Sequence, residues 1–341
     1  MESQGTYLAK VKRQNRKAIL SLLKGSMALS VADTARATGL SIATCATALT
    51  EMADCGEAVV LEEKKSQGGR PARRFAFNPD HILVAALFLG VSHQKESLRF
   101  AVANANGEII DSGEEEKSKI TLPDIEEQIT RLSGRHAKLR SIAVSVPGVV
   151  KDGTVDFCDI PALVGVRLEE RIRTNWGLEA VADNDINFAA TGFFNTSAHK
   201  GVSSLVYMSF PNYIYMGAGI IVNDSLIRGR TCFAGELSFI PFDDAKRGRT
   251  RLMPAPENFV RYVAKLSVTV TTVIDPDMIV LEGRMMTAEL RDAIGNACLD
   301  HIPAKHLPEL VIRQENDADS LSGMVAMAVD AYLQTNGEKG E

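Results

Sequence analysis

The sequence predicts an α+β helix-turn-helix head over residues 1–78, followed by an α/β domain over residues 79–341. Three features of the chain predict it. Two short capped helices are joined by a tight Gly39-Leu40 turn and followed by two strand candidates. After Asn78-Pro79-Asp80 the texture changes to alternating apolar strands and amphipathic helices. The charge also divides there: residues 1–78 hold 12 Lys+Arg against 7 Asp+Glu, and the remainder holds 26 against 36.

The head is read in chain order. Segment 15–24 places Ile19, Leu22 and Leu23 at helical spacing. Ser30 is an N-cap candidate for a short helix ending at Gly39, and Ser41 for a second ending at Gly56. Ala35, Leu40, Ala46 and Leu49 are the expected apolar core. Residues 58–62 and 74–77 read as strands, with the basic loop EKKSQGGRPAR between them as a wing. In the larger domain, strands are expected at 82–91, 97–104, 107–112, 141–146, 203–209, 217–222 and 278–282. Helices are expected at 123–138, 167–176, 185–195, 256–274, 286–302 and 318–334.

Bulk composition excludes several classes. No stretch approaches the roughly 20 apolar residues that cross a bilayer, and the N-terminus lacks the apolar segment of a secretory signal. A cytoplasmic protein without a membrane partner is expected. Five scattered cysteines with no C-x-x-C pair predict free thiols.

The positive head points to a polyanion, double-stranded DNA. The first turns of the second helix would meet base edges through Ser41, Thr44 and Thr47, with Ile42 and Ala43 beside them. Hydroxyls and methyls there, without Arg, Gln or Asn, predict modest direct readout. Lys64, Lys65, Arg70, Arg73 and Arg74 would neutralise phosphates. In Gly68-Gly69-Arg70-Pro71 the glycines allow close approach, so Arg70 would enter a minor groove. Two alternatives stay open: a basic loop touching phosphates alone, or a head used for protein contacts.

Residues 15–79 resemble the DNA-binding head of ROK-family repressors, through Asn15-Arg16, residues 37–41, Gly68-Gly69-Arg70-Pro71 and Asn78-Pro79. Residues 82–334 resemble the ROK sugar-kinase and regulator domain, through Val146-Pro147-Gly148, Asn184-Asp185, Ala234-Gly235-Glu236 and Ile274-Asp275-Pro276. The resemblance implies a winged helix-turn-helix head on an actin-like ATPase fold, with a sugar cleft between two α/β lobes. It also implies a homodimer or dimer of dimers on palindromic operators.

Against that family pattern, residues 89–95 lack the Asp and glycine pair of the first phosphate loop. Residues 211–216 place bulky side chains where the second loop has glycines, so backbone amides cannot face phosphates as nucleotide binding requires. Phe239 stands where the zinc-binding His is expected, and the cysteine cluster is missing. No cofactor, no metal and no enzymatic activity are therefore expected. Asn184 and Asp185 match the family's sugar-binding pair; Glu236 and Glu257 match further sugar contacts, and Asp159 stands where the family often has a sugar-contacting Asn. Together these features predict a DNA-binding regulator, in the family's usual mode a repressor of carbohydrate uptake or catabolism, controlled by a sugar or sugar derivative. The alternatives are an active ATP-dependent sugar kinase with an appended head, and a ligand-free regulator or interaction module.

Overall fold

The computed structural model describes residues 4–26, 28–61, 73–92, 95–197, 201–210, 216–242 and 256–339. The head comprises α1 (Gln4–Lys24), β1 (Leu29–Ser30), α2 (Val31–Thr38), α3 (Ile42–Asp54), β2 (Ala58–Leu61) and β3 (Arg74–Phe77). Its strands form an antiparallel sheet in the order β1-β3-β2. Both caps form where the sequence places them. Ser30 Oγ accepts from Asp33 N at 3.2 Å while the Asp33 carboxylate accepts from Ser30 N, a reciprocal capping box. Gly39 closes α2 at φ 72°, a left-handed conformation that glycine adopts without steric cost. Ser41 Oγ accepts from Thr44 N at 3.1 Å and starts α3.

Two expectations for the head change. The first helix begins at Gln4 rather than near residue 15. The polar stretch before Asn15 carries no proline, so nothing stops the helix from running on. The buried stripe of α3 runs through Cys45, Leu49 and Met52, the i, i+4, i+7 face. Ala35 and Leu40 only flank it, and Ala46 stays half-buried.

The first lobe contains β4 (Leu83–Ser92), β5 (Lys95–Asn104), β6 (Ile109–Lys117), α4 (Leu122–Arg135) and β7 (Leu139–Val146). The hairpin β8 (Gly148–Lys151) and β9 (Thr154–Cys158), then α5 (Leu168–Trp176) and β10 (Glu179–Asn184), complete it. Helix α6 (Asp185–Ser197) leads to the second lobe: β11 (Leu205–Ser209), β12 (Gly217–Val222), β13 (Ser225–Leu226), α7 (Pro256–Ile274), β14 (Met278–Glu282), α8 (Ala288–Leu299), β15 (Glu309–Arg313) and α9 (Asp317–Lys339). The sheets run β10-β7-β4-β5-β6 and β15-β14-β11-β12-β13, so both repeat one order: fifth, fourth, first, second, third. In each, the first, fourth and fifth strands are parallel and the other neighbours antiparallel.

Both faces of the sheets are covered, as long apolar strands require. On β4, Ala85 and Leu87 pack into the core beneath α4 and α5, while Val84 and Ala86 face the opposite way toward α9. Helix α6 covers β11 and β12, and α7 and α8 cover the other side of that sheet. Between the lobes α6 and α9 cross with their backbones nearly touching: a Cβ on Gly192 would lie 1.8 Å from Asp319 O, and one on Gly323 would lie 1.9 Å from Phe188 O.

The head does not hang from a linker. Ile19, Leu20 and Leu23 of α1 share one apolar core with Leu49 and Phe75 of the head and with Val84, Phe188, Met324, Val325 and Ala328 of the lobes. Lys24 Nζ reaches Asp330 at 3.2 Å across the junction, and Asn78, the last residue of the head, is pinned to it by donating from Nδ2 to Gly56 O at 2.7 Å. Leu23 is fully buried, so Leu23→Ala is expected to cost about 2–5 kcal/mol. Circular dichroism and Trp176 fluorescence should still give one coincident transition, because head and lobes share that core. Separate midpoints would contradict this account of the junction.

Candidate functional site

The cleft site is built at the end of β10, where the chain passes from one lobe to the other. Strand ends in parallel sheets are where ligand-facing residues collect. The residues there divide into those that hold the backbone and those that face the cleft. Asp183 is buried and holds: its Oδ1 accepts from Asn184 N and from Asn187 Nδ2, both at 2.7 Å, and its Oδ2 pairs with Arg228 at 2.7 Å. Arg228 follows β13, so this ion pair bridges the lobes. Asn184 also holds: its Oδ1 accepts from Ile186 N at 2.8 Å and its Nδ2 donates to Gly148 O at 2.9 Å. Its amide caps α6 and ties β10 to β8.

Asp185 begins α6 and is partly buried, with Oδ1 accepting from Ile186 N at 3.0 Å. Burial pushes its carboxyl up to about 6, against that backbone donor and with help from the negative charges of Glu236 and Asp159. Asp159 comes from the end of the β8–β9 hairpin, where its N–H donates to Pro147 O at 3.0 Å. Glu236 comes from the loop after β13. Gly235 sits at φ 93° and a Cβ there would lie 1.9 Å from Ala218 O, so only glycine lets this loop lie against β12. Gly217 and Gly219 similarly admit the first turn of α6, with Ile186 Cδ1 2.4 Å and Ala190 Cβ 2.4 Å from the positions their Cβ atoms would take. Backbone close approach thus fixes the loop that carries Glu236 and the helix that begins at Asp185, and the charges of Glu236 and Asp159 both act on Asp185. An ionised carboxylate accepts hydrogen bonds and donates none.

A further acid, absent from the expected set, lies next to them. Glu282 closes β14, is 7% exposed, and accepts from Ser209 Oγ. Burial pushes it up to about 7, with the charges of Asp185, Asp317 and Asp319 in the same direction and Ser209 opposing. Asp317 and Asp319 open α9: Arg99 grips Asp317 with two contacts of 2.7 Å, and Tyr207 Oη donates to Asp319 at 3.2 Å. A cavity of about 180 Å³ lies here, lined by Glu282, Arg284, Gln314 and Asp317 among others. A larger hollow of about 430 Å³, lined by Arg140, Trp176 and Tyr332, touches none of the cleft acids.

The remaining expected residues divide similarly. Glu257 lies in the first turn of α7, and its side chain falls outside the described residues, as do residues 211–215 of the second phosphate-loop position. Gly90 of the first lies inside β4, in a strand rather than a phosphate-cradling turn. Phe239 is 38% exposed and packs edge-to-face on Phe233 at 4.9 Å. No grouping of three or more potential metal ligands occurs among the described residues.

In the head, Ser41 and Thr47 are exposed at the start of α3, and Ile42 is 65% exposed beside them. Thr44 is tied to Ser41, hydroxyl to hydroxyl, at 2.8 Å. Lys64, Lys65 and Arg70 lie outside the described residues. Arg73 is exposed. Arg74 serves the frame: its guanidinium donates to Ala28 O at 2.7 Å and joins β3 to the chain before α2.

Residues 88–250 match the ROK family. The chain is 26% identical over 238 residues to the xylose repressor of Caldicellulosiruptor bescii, across 67% of this chain and 58% of that protein. It is 24% identical over 242 residues to the xylose repressor of Bacillus subtilis, across 68% and 62%. The chain thus spans about three fifths of the length of the curated relatives it matches. Among solved structures, a ROK family transcriptional regulator, a homologue of the E. coli MLC protein, superposes with a TM-score of 0.76 at 18% identity over 97% of this chain and 100% of that one. A ROK family glucokinase from Streptomyces griseus superposes at 0.56 with 16% identity, over 73% and 99%. At these identities the structural likeness establishes the fold alone: a body of two α/β lobes, with the first of the two neighbours extending over the head as well.

Proposed function

The chain carries a ROK family domain, and from that premise we propose that it is a DNA-binding transcriptional repressor of carbohydrate uptake or catabolism genes. Its cleft binds a sugar or sugar derivative and transfers no phosphate. It acts in the cytoplasm as a homodimer or dimer of dimers on a palindromic operator. The observation that carries the reading is the unbroken apolar core between head and lobes. Helix α6 starts with Asp185 in the cleft and crosses α9 at Gly192 and Gly323; α9 then packs on α1 of the head. A ligand that shifts the lobes therefore shifts the head as well, and the difference in DNA affinity between the two arrangements is the coupling free energy. The names of the relatives make D-xylose the first sugar to try.

The test is DNA binding by the full chain to its own upstream region, followed by fluorescence anisotropy across salt concentrations. Affinity is expected to fall steeply with salt. Replacing Lys64, Lys65 and Arg70 together by Ala is expected to flatten the log–log slope by about 0.9 per lost phosphate contact. A slope that does not move assigns the DNA contact elsewhere; no salt-sensitive binding to any natural promoter favours a head used for protein contacts.

One observation favours a second reading. A carboxyl raised to about 6 beside a sugar site suits a general base, as a sugar kinase requires. ATP consumption with accumulation of a sugar phosphate would establish that alternative.

A further inference from the structure

The start of α3 presents carbon to solvent rather than hydrogen-bonding groups. Ile42, its first residue, is 65% exposed, the most exposed large apolar side chain in the described part of the head. Ala43 and Thr47 are exposed as well, so the first, second and sixth residues of the helix all reach solvent. Ile42 stands one turn ahead of Cys45, past the end of the buried stripe Cys45, Leu49 and Met52 that holds α3 in the core. The flanking hydroxyls are engaged with each other: Ser41 Oγ accepts from Thr44 N–H at 3.1 Å and shares a hydrogen bond with Thr44 Oγ1 at 2.8 Å. The charges of α3, Glu51 and Asp54, lie in its last turn, and Glu51 pairs with Lys12 at 2.8 Å. On α2, Arg36 pairs with Asp33 at 3.3 Å. A lone exposed aliphatic is ordinary on a protein surface. Here three methyl-bearing side chains open one helix of a positively charged head, with 12 Lys+Arg against 7 Asp+Glu over residues 1–78.

We propose that Ile42, flanked by Ala43 and the methyl of Thr47, reads thymine C5-methyl groups in the major groove, so that the operator is selected by its methyls. The inference rests on the reading of the head as a DNA-binding unit and names the base chemistry that it selects. The C5-methyl is the apolar group that the major groove displays; A·T pairs carry it and G·C pairs do not. Packing Ile42 against it takes apolar surface of both partners out of water, which is worth about 4-fold in affinity per methyl. On the same reading Lys64, Lys65 and Arg70 of the wing grip phosphates or the minor groove, where no thymine methyl lies. Their contribution is therefore blind to the methyl.

The upstream segment that the full chain protects from cleavage is made as a synthetic duplex. Its thymines are then replaced by deoxyuracil, which removes the methyl and leaves every base-pairing group. Anisotropy at fixed salt is expected to show about a 4-fold loss for at least one thymine in each half-site. Ile42→Ser is expected to bind the thymine duplex about 4-fold more weakly and to lose nothing further on uracil, while Ile42→Val keeps most of the preference. Its thermal midpoint should match wild type, since the side chain is exposed. Equal binding of thymine and uracil duplexes throughout overturns the inference and leaves the head a DNA binder. A uracil penalty that survives in Ile42→Ser moves the contact to another side chain and overturns the assignment. A lowered midpoint in Ile42→Ser makes Ile42 a packing residue, with the same consequence. If no upstream duplex is bound in a salt-sensitive way, the DNA-binding reading fails, and this inference with it.

Discussion

Asp185→Asn is expected to stabilise the ligand-free protein at neutral pH and to leave its DNA binding unresponsive to sugar. The folded carboxyl lies near 6, against an ordinary value of 3.8, chiefly because it is buried and then because Glu236 and Asp159 repel its charge. The folded state therefore binds the proton more tightly than the unfolded chain does. That contribution is fully present below about pH 4 and is lost as pH rises through about 6. At pH 7.5 the ionised carboxylate is a standing cost of about 1–3 kcal/mol. The amide keeps the acceptor for Ile186 N–H and carries no charge. Urea midpoints are expected to rise at pH 7.5 and to match wild type near pH 4. Glu282, pushed up to about 7, adds a dependence of the same sign in wild type. A variant destabilised equally at both pH values would show that Asp185 is a structural cap. The expectation joins stability to function: the group that weakens the fold is the one proposed to accept from the ligand.

Gly323→Ala carries the largest expected loss. Its Cβ would sit 1.9 Å from Phe188 O and 2.9 Å from Gly192 N. The obstruction is backbone, so α6 and α9 have to separate rather than a side chain turn aside. Overpacking of this kind costs about 2–5 kcal/mol. Gly134 in α4 is the control: it is exposed, nothing lies within 4 Å of the position its Cβ would take, and Gly134→Ala should gain about 0.5–1 kcal/mol. The surviving Gly323→Ala protein is expected to bind DNA with an affinity that sugar no longer changes, since the crossing that links cleft to head is opened. Thermal melts and sugar-titrated anisotropy on both variants check this. A sugar response of wild-type size in Gly323→Ala would remove the crossing from the coupling route.

Much of the fold was legible because its periodicities are clean. Helix α7 occupies residues 256–274 as the 3.6-residue pattern predicts, and the Ser30 and Ser41 caps start α2 and α3 where expected. The elements left unread have identifiable causes. The β8–β9 hairpin turns at Asp152 and Gly153, both at positive φ; this Asp-Gly signal was available in Lys151-Asp152-Gly153-Thr154 and announces the hairpin that delivers Asp159. Strand β10 was hidden because Glu179 and Asp183 interrupt its apolar run, each buried with an ion-pair partner, Arg173 six residues back for Glu179 and the distant Arg228 for Asp183. Strand β15 has no fully buried residue and so lacks a core signature.

The site divides along the same line. Motif order proposes Asp159, Asp185 and Glu236, and in the structure the charges of Glu236 and Asp159 act on Asp185. Glu282 was not, since a lone acid ending a strand gives no spacing signal. Nor was the structural service of Asn184 and Arg74, which depends on Gly148 and Ala28, residues distant in sequence. The continuous core between head and lobes is equally invisible, because Asn78-Pro79-Asp80 reads as a break while α1 and α9, some 300 residues apart, supply the contact.

A sugar in the lobe cleft is proposed to change the grip of the head on DNA without phosphate transfer. The most direct measurement is anisotropy of labelled upstream DNA with the full chain at fixed salt, titrated with D-xylose and other uncharged sugars, with ATP and sugar phosphate assayed in the same tube. At least about a 10-fold loss of DNA affinity is expected with one of them, with no such loss in Asp185→Asn and no ATP consumed. DNA affinity indifferent to every sugar, while sugar phosphate accumulates, would contradict it.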